Sequence, residues 1–112
     1  MLYVEDNLDL RESLSAALSG AGYEVQVAAD AGEGLACLGE RRFHVVISDY
    51  GLPDQTGAWM LREAAARGLL DRTEALIVTA HPDPVEAGGI PVLQKPLDLG
   101  SLLSWIARLL AA

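Results

Sequence analysis

Residues 43–50 read FHVVISDY, an apolar run that ends at an acidic side chain. Its centre, Val45 to Ile47, is continuously β-branched, which is typical of a strand buried on both faces of a parallel sheet. Asp49 follows the run directly. A loop comes next, marked by Gly51, Pro53, Asp54 and Gly57. The segment therefore predicts a central strand with a carboxylate at its carboxyl end.

Similar short runs recur on both sides of this segment, and helical patterns separate most of them. The predicted strands are residues 2–4, 24–28, 43–48, 75–78 and 91–94. Apolar periodicity predicts helices from Leu8 to about Gly20, from Asp30 to about Gly39, from Ala58 to Arg67 and after Asp98. Such alternation indicates an α/β fold, a doubly wound five-stranded parallel sheet with right-handed crossovers.

The connection between the fourth and fifth predicted strands is short. Residues 81–84 read HPDP, which breaks regular structure, and Val85 to Gly88 has room for about one helical turn. The fourth of the five expected helices is therefore predicted to be shortened or missing.

Composition narrows the class of protein. We expect one domain over residues 1–112, and the single Cys37 excludes an internal disulfide. The 16 acidic and 8 basic residues give a net charge of −8, which argues against direct binding of nucleic acid. No 18-residue window is apolar and uncharged, and the first residues do not resemble an export signal. A cytoplasmic location without direct membrane contact is expected.

Polar side chains stand at the predicted carboxyl ends of four strands. Glu5 and Asp6 follow the first strand, Asp49 the third, Thr79 the fourth and Lys95 the fifth. In open parallel sheets the ligand binds at this edge. Three carboxylates would repel one another there unless a cation such as Mg²⁺ were bound. The lysine and threonine could contact a phosphoryl group bridged to that ion, with Asp49 as the nucleophile.

Taken together, these motifs carry a family resemblance. They are Val4-Glu5-Asp6-Asn7, Ile47-Ser48-Asp49-Tyr50, Leu52-Pro53, Gly57, Thr79-Ala80 and Lys95-Pro96. With these motifs and the Asp49-to-Thr79 spacing, the chain resembles the receiver domain of two-component response regulators over essentially its whole length.

The resemblance implies a sheet order of 2-1-3-4-5 and a role in signal transduction. It implies that Asp49 accepts a phosphoryl group from a phosphohistidine on a sensor histidine kinase or phosphotransfer protein. The implied Mg²⁺ ligands are Glu5, Asp6, Asp49 and the backbone carbonyl of Gly51. Thr79 and Lys95 would bind phosphoryl oxygens. Such a domain signals by protein contact or phosphorelay, and it catalyses only its own phosphorylation and dephosphorylation.

Two departures from the family leave an alternative open. Val92 stands three positions before the lysine, where receivers usually carry an aromatic switch residue, and the fourth helix is short. In receivers, that helix normally helps to form the surface used for signalling and dimerisation. Because it is short here, the surface that signals and the formation of a weak homodimer are both left open. The alternative function is a receiver-like interaction adaptor that does not depend on phosphorylation. A phosphatase of the haloacid dehalogenase type is disfavoured, since Gly51 occupies the position of its second aspartate.

Overall fold

A computed structural model of the chain describes residues 1–81 and 86–111. The strands are Leu2–Val4 (β1), Gln26–Ala28 (β2), Val45–Asp49 (β3), Glu74–Thr79 (β4) and Val92–Gln94 (β5). The helices in these residues are Leu8–Gly20 (α1), Ala31–Glu40 (α2), Gly57–Ala66 (α3) and Leu99–Ala111 (α4). The strands form one sheet in the order β2-β1-β3-β4-β5, with every neighbouring pair parallel. The predicted doubly wound sheet is confirmed.

Helices cover both faces of this sheet. Because side chains alternate along a strand, Val46 packs among the buried residues of α2 and α3, whereas Val45 and Ile47 pack with those of α1 and α4. All three residues are fully buried. The β-branched run therefore separates two apolar cores, as expected for a central strand.

Polar side chains set the helix starts. Asn7 accepts a hydrogen bond from the Leu10 amide at the start of α1, and Asp30 caps α2, as predicted, by accepting from the Glu33 amide. The cap of α1 is thus Asn7, and Glu5 and Asp6 precede it in the loop after β1.

The crossover between β4 and β5 lacks a helix in the residues that the structure describes. Glu86 and Ala87 are not helical, and a turn follows at Gly88 and Gly89, which have φ of 59° and 85°. The prediction of a shortened or missing fourth helix is confirmed for these residues. The start of the predicted single turn, Val85, lies outside them.

Strand ends differ from the predictions by one or two residues. Thr79 and Asp49 are the last residues of β4 and β3, because the parallel ladders pair them with Gln94 and Val78. β2 begins only at Gln26. None of the described helices is long and apolar enough to span a membrane.

Candidate functional site

Three carboxylates meet at the carboxyl edge of the sheet. Ligand oxygens of Glu5, Asp6 and Asp49 all lie within 4.8 Å of one another. Glu5 is only 1% exposed and Asp49 9%, whereas Asp6 is exposed to solvent. The predicted convergence of the acidic pair with the aspartate of β3 is therefore found. Its geometry places strong negative charge in a half-enclosed pocket.

Lys95 offsets much of this charge. Its Nζ lies 2.7 Å from Glu5 Oε1 and 3.3 Å from Asp49 Oδ1. The Lys95 amide donates a 2.7 Å hydrogen bond to the Thr79 carbonyl, which continues the β4–β5 ladder to the edge of the pocket. Pairing with β4 thus fixes the backbone position of Lys95 at the edge of the pocket.

Glu5 has further donors that the sequence did not indicate. The Tyr3 hydroxyl donates to Glu5 Oε1 at 3.3 Å, and the Asn7 amide donates to Oε2 at 3.2 Å. Arg11 on α1 donates to the Glu5 backbone carbonyl at 2.9 Å. The available signal for Tyr3 was its spacing, because residues 3 and 5 fall on the same side of an extended chain.

The charged groups respond differently to this arrangement. Burial works to raise the pKa of Glu5, but hydrogen bonds from Lys95 and the Asn7 amide hold that pKa below its ordinary value. Burial works to lower the pKa of Lys95, but the hydrogen bond to Glu5 and the charge of Asp49 keep it raised. For Asp49, burial and the Glu5 charge raise the pKa from 3.8 to about 6. Lys95 therefore compensates Glu5 more fully than Asp49.

Thr79 lies at the same edge and is 3% exposed. Its Oγ1 accepts a 3.0 Å hydrogen bond from the His81 amide. The His81 carbonyl in turn accepts a hydrogen bond from Gln94 Nε2 at 3.2 Å. The loop after β4 is thereby held against the end of β5.

Gly51 stands in residues 50–56, here called the acceptor loop, between Asp49 and α3. Gly51 is exposed and forms an isolated antiparallel bridge with Thr56. At the base of the loop, the Gly57 amide donates to the Tyr50 carbonyl at 2.7 Å. The acceptor loop is therefore closed by backbone pairing at its base, which lies next to Asp49 of the acidic cluster.

An apolar groove of about 570 Å³ adjoins the cluster at Lys95. Its lining includes Leu10, Leu14, Ala17, Pro96, Leu97 and Leu99. Leu10 is 45% exposed and Leu99 38%. Leu10 and Leu14 repeat at helical spacing with Leu18, yet Leu18 is the only buried residue of α1. Leu8 and Leu10 are exposed to solvent, whereas Leu14 is partly buried against the core.

Comparison with known proteins identifies the family. The family model of the response regulator receiver domain matches residues 1–107. The chain belongs to the response regulator receiver family. It is 32% identical to the sensor histidine kinase AtsR of Burkholderia thailandensis over 96% of this chain and 19% of AtsR. It is 33% identical to the response regulator MprA of Mycobacterium tuberculosis over 98% of this chain and 50% of MprA.

Solved structures agree on the fold. The chemotaxis response regulator CheY4 of Vibrio cholerae aligns with a TM-score of 0.86 at 32% identity, covering 96% of this receiver and 95% of CheY4. The receiver spans from about a fifth to about half of the length of the two curated relatives named above.

The donor set of the receiver's acidic pocket suits Mg²⁺. That ion prefers carboxylate and carbonyl oxygens in octahedral geometry, together with several waters. Glu5, Asp6 and Asp49 supply carboxylates within 4.8 Å of one another, which fits one small cation. Their assignment as ligands, with the carbonyl of Gly51, stays a prediction.

We expect Asp49 to destabilise the Mg²⁺-free receiver as pH rises from about 4 to about 7. Its pKa is raised from 3.8 to about 6 on folding, so the stability gained from its protonated form is present below pH 3.8 and lost as pH passes 6. One pKa unit corresponds to about 1.4 kcal/mol, which limits the loss to roughly 3 kcal/mol.

Urea unfolding in EDTA tests this pH effect by comparing wild type with Asp49→Asn. The free energy of unfolding of Asp49→Asn should increase relative to that of wild type as pH rises. Glu5 titrates in both proteins, so the difference between them reports on Asp49. A difference between the two proteins that stays constant from acidic to neutral pH would contradict the prediction.

Proposed function

We propose that this receiver accepts a phosphoryl group on Asp49 from a phosphohistidine of a sensor histidine kinase or phosphotransfer protein. It then signals by protein contact or phosphorelay and turns over no metabolite. The observation that carries the proposal is the meeting of Glu5, Asp6 and Asp49 with Lys95 at one sheet edge, in a chain of the receiver family.

Asp49 is the proposed nucleophile. A carboxylate oxygen of Asp49 attacks phosphorus, a P–O bond forms, and the P–N bond to the donor imidazole breaks with its electron pair returning to nitrogen. The attacking group must be ionised. Since its pKa is about 6, most Asp49 side chains carry charge near neutral pH.

Glu5, Asp6, Asp49 and the carbonyl of Gly51 would hold Mg²⁺. When bound, the ion supplies positive charge that offsets the three carboxylates and the incoming phosphoryl oxygens. Glu5 is held for this role by its Tyr3 and Asn7 hydrogen bonds, which remain if Lys95 turns away.

Lys95 and Thr79 are the proposed phosphoryl-binding residues. The lysine Nζ is 3.3 Å from Asp49 Oδ1, so it can follow the new phosphoryl oxygens with a small movement. Thr79 Oγ1 accepts from the His81 amide, and a hydroxyl that accepts one hydrogen bond still carries its own O–H donor. That donor would reach a second phosphoryl oxygen.

The apolar groove is the proposed docking surface for a helix of the phosphohistidine partner. It is continuous with the acidic pocket, because Lys95 lines both. A helix that carries the donor histidine could bury Leu10 and Leu99 while presenting its phosphoryl group to Asp49. Apolar burial would then supply affinity, and the pocket would supply the chemistry.

A receiver-like adaptor that does not use phosphorylation is the second candidate. Two observations favour it: Val92 occupies the start of β5 without an aromatic ring, and the described residues between β4 and β5 hold no helix. The polar site argues against it, because burial and the Glu5 charge raise the pKa of Asp49 to about 6, and such a shifted carboxylate in a cleft is typical of a functional site.

Intact mass and Trp59 fluorescence distinguish the two functions. Trp59 lies in the first turn of α3, directly beyond the acceptor loop. With Mg²⁺ and acetyl phosphate, wild type should gain the mass of one phosphoryl group. Asp49→Asn should gain none, and Asp71→Asn, which alters an exposed aspartate outside the pocket, should match wild type. If wild type neither binds Mg²⁺ nor gains mass, the adaptor function takes its place.

A further inference from the structure

Asp54, in the acceptor loop, makes a contact that the proposed chemistry does not use. Its Oδ1 accepts a 2.9 Å hydrogen bond from the Ala31 amide, and its Oδ2 accepts one of 2.9 Å from the Gly32 amide. Oδ1 also accepts from the Gln55 amide at 2.9 Å. One carboxylate therefore joins the acceptor loop to the first turn of α2.

This contact differs from an ordinary helix cap. Asp30 already caps α2 locally, because its Oδ1 accepts a 2.7 Å hydrogen bond from the Glu33 amide. Asp54 lies 23 residues beyond Ala31 in sequence. It accepts hydrogen bonds from the amides of Ala31 and Gly32, the two residues before Glu33. A negative charge at a helix amino terminus is also favourable electrostatically. The helix start is thus used as a fixed anchor for a distant loop.

The anchored loop lies directly after Asp49. Its base is held by the Tyr50 amide, which donates to the Val78 carbonyl at 2.8 Å, and by the Gly51–Thr56 bridge. Asp54 lies between the two residues of that bridge in sequence. In the part of the loop beyond this base, Leu52 packs against the core, and the Asp54 carboxylate supplies the hydrogen bonds to α2.

We propose that Asp54 is a positioning residue for the Mg²⁺ and phosphoryl site. By tying the acceptor loop to α2, it holds Gly51 and its carbonyl in register with the carboxylates of Glu5 and Asp49. This inference rests on the proposed function. Residues that orient metal ligands typically change metal affinity by about tenfold or more when they are removed. Asp54→Ala should therefore weaken Mg²⁺ binding about tenfold and slow phosphorylation by acetyl phosphate.

The test compares Asp54→Ala with Asp30→Ala, because both remove a carboxylate from the same helix end and only the first frees the loop. Asp54→Asn keeps the side-chain shape and one acceptor oxygen, so it should show an intermediate loss. Trp59 fluorescence measures Mg²⁺ affinity, intact mass measures the rate of phosphorylation, and thermal unfolding measures stability. Asp30→Ala should lower the Tm and keep wild-type affinity for Mg²⁺.

The outcomes separate this inference from the proposed function. If Asp54→Ala and Asp54→Asn bind Mg²⁺ and accept phosphoryl groups as wild type does, Asp54 has no positioning role. If Asp30→Ala weakens Mg²⁺ binding as much as Asp54→Ala, the effect belongs to the stability of α2, and the inference is likewise overturned. If wild type itself shows no Mg²⁺ binding and no phosphorylation, the proposed function fails, and this inference fails with it.

Discussion

Lys95→Met is expected to lower the free energy of unfolding of the Mg²⁺-free receiver by about 3 kcal/mol near neutral pH. The Glu5 carboxylate is 1% exposed, and Lys95 Nζ lies 2.7 Å from its Oε1. Removing the lysine leaves a buried charge without its counter-ion. Such losses usually cost about 3–5 kcal/mol, and the lower value applies because Lys95 is partly hydrated and the Tyr3 and Asn7 donors remain.

Two variants make this result specific. Arg67→Met removes the partner of Glu63, whose oxygen lies 3.1 Å from the guanidinium, and both side chains are well exposed. That exposed pair should contribute less than about 1 kcal/mol. The double variant Glu5→Gln/Lys95→Met removes both buried charges and should recover most of the lost stability. Urea unfolding in EDTA measures all three.

The pH dependence gives an independent check on Lys95→Met. In wild type the pKa of Glu5 is lowered, so its ionised form stabilises the fold above its unfolded pKa, and this contribution is lost as pH falls through the lowered value. In the variant, Glu5 loses the Lys95 hydrogen bond, which is the largest influence that lowers its pKa. The stability difference should therefore shrink toward acidic pH. A Lys95→Met protein as stable as Arg67→Met at neutral pH would contradict the prediction.

Much of the site could be predicted because it follows from strand direction. The runs that end at Glu5, Asp49 and Thr79 are short and apolar, and parallel strands must bring their carboxyl ends to one edge. The sheet order came from the family resemblance, and the structure agrees with it. The shortened or missing fourth helix could be predicted because few residues separate the fourth strand from the fifth.

Other features depend on contacts between residues that are distant in sequence, and no local sequence pattern predicts such contacts. Lys95 was predicted to bind phosphoryl oxygens, and its Nζ lies nearer to Glu5 than to Asp49. A counter-ion stabilises the more buried carboxylate most, because an unpaired buried charge is strongly unfavourable. Asp54 follows Pro53 and resembles an ordinary turn residue. Its contact with Ala31 exists only once α2 and the acceptor loop are packed together.

Gly57→Ala is expected to destabilise the receiver by about 3 kcal/mol, the upper part of the range for overpacked sites. Gly57 is the first residue of α3, where alanine would ordinarily favour the helix. Here a Cβ would lie 2.6 Å from Ser48 Oγ and closer still to the Asp49 carbonyl oxygen. A backbone atom cannot rotate away as a side chain can, so the acceptor loop or β3 must move.

Gly39→Ala is the matched control for this helix effect. Gly39 lies in α2, and a Cβ there meets nothing within 4 Å, so alanine should leave stability unchanged or raise it by up to about 1 kcal/mol. Because the movement forced by Gly57→Ala begins at the Asp49 backbone, Mg²⁺ affinity measured by Trp59 fluorescence should fall with stability. If Gly57→Ala instead matches Gly39→Ala in urea unfolding, the close approach of α3 to the end of β3 is not a constraint on the site.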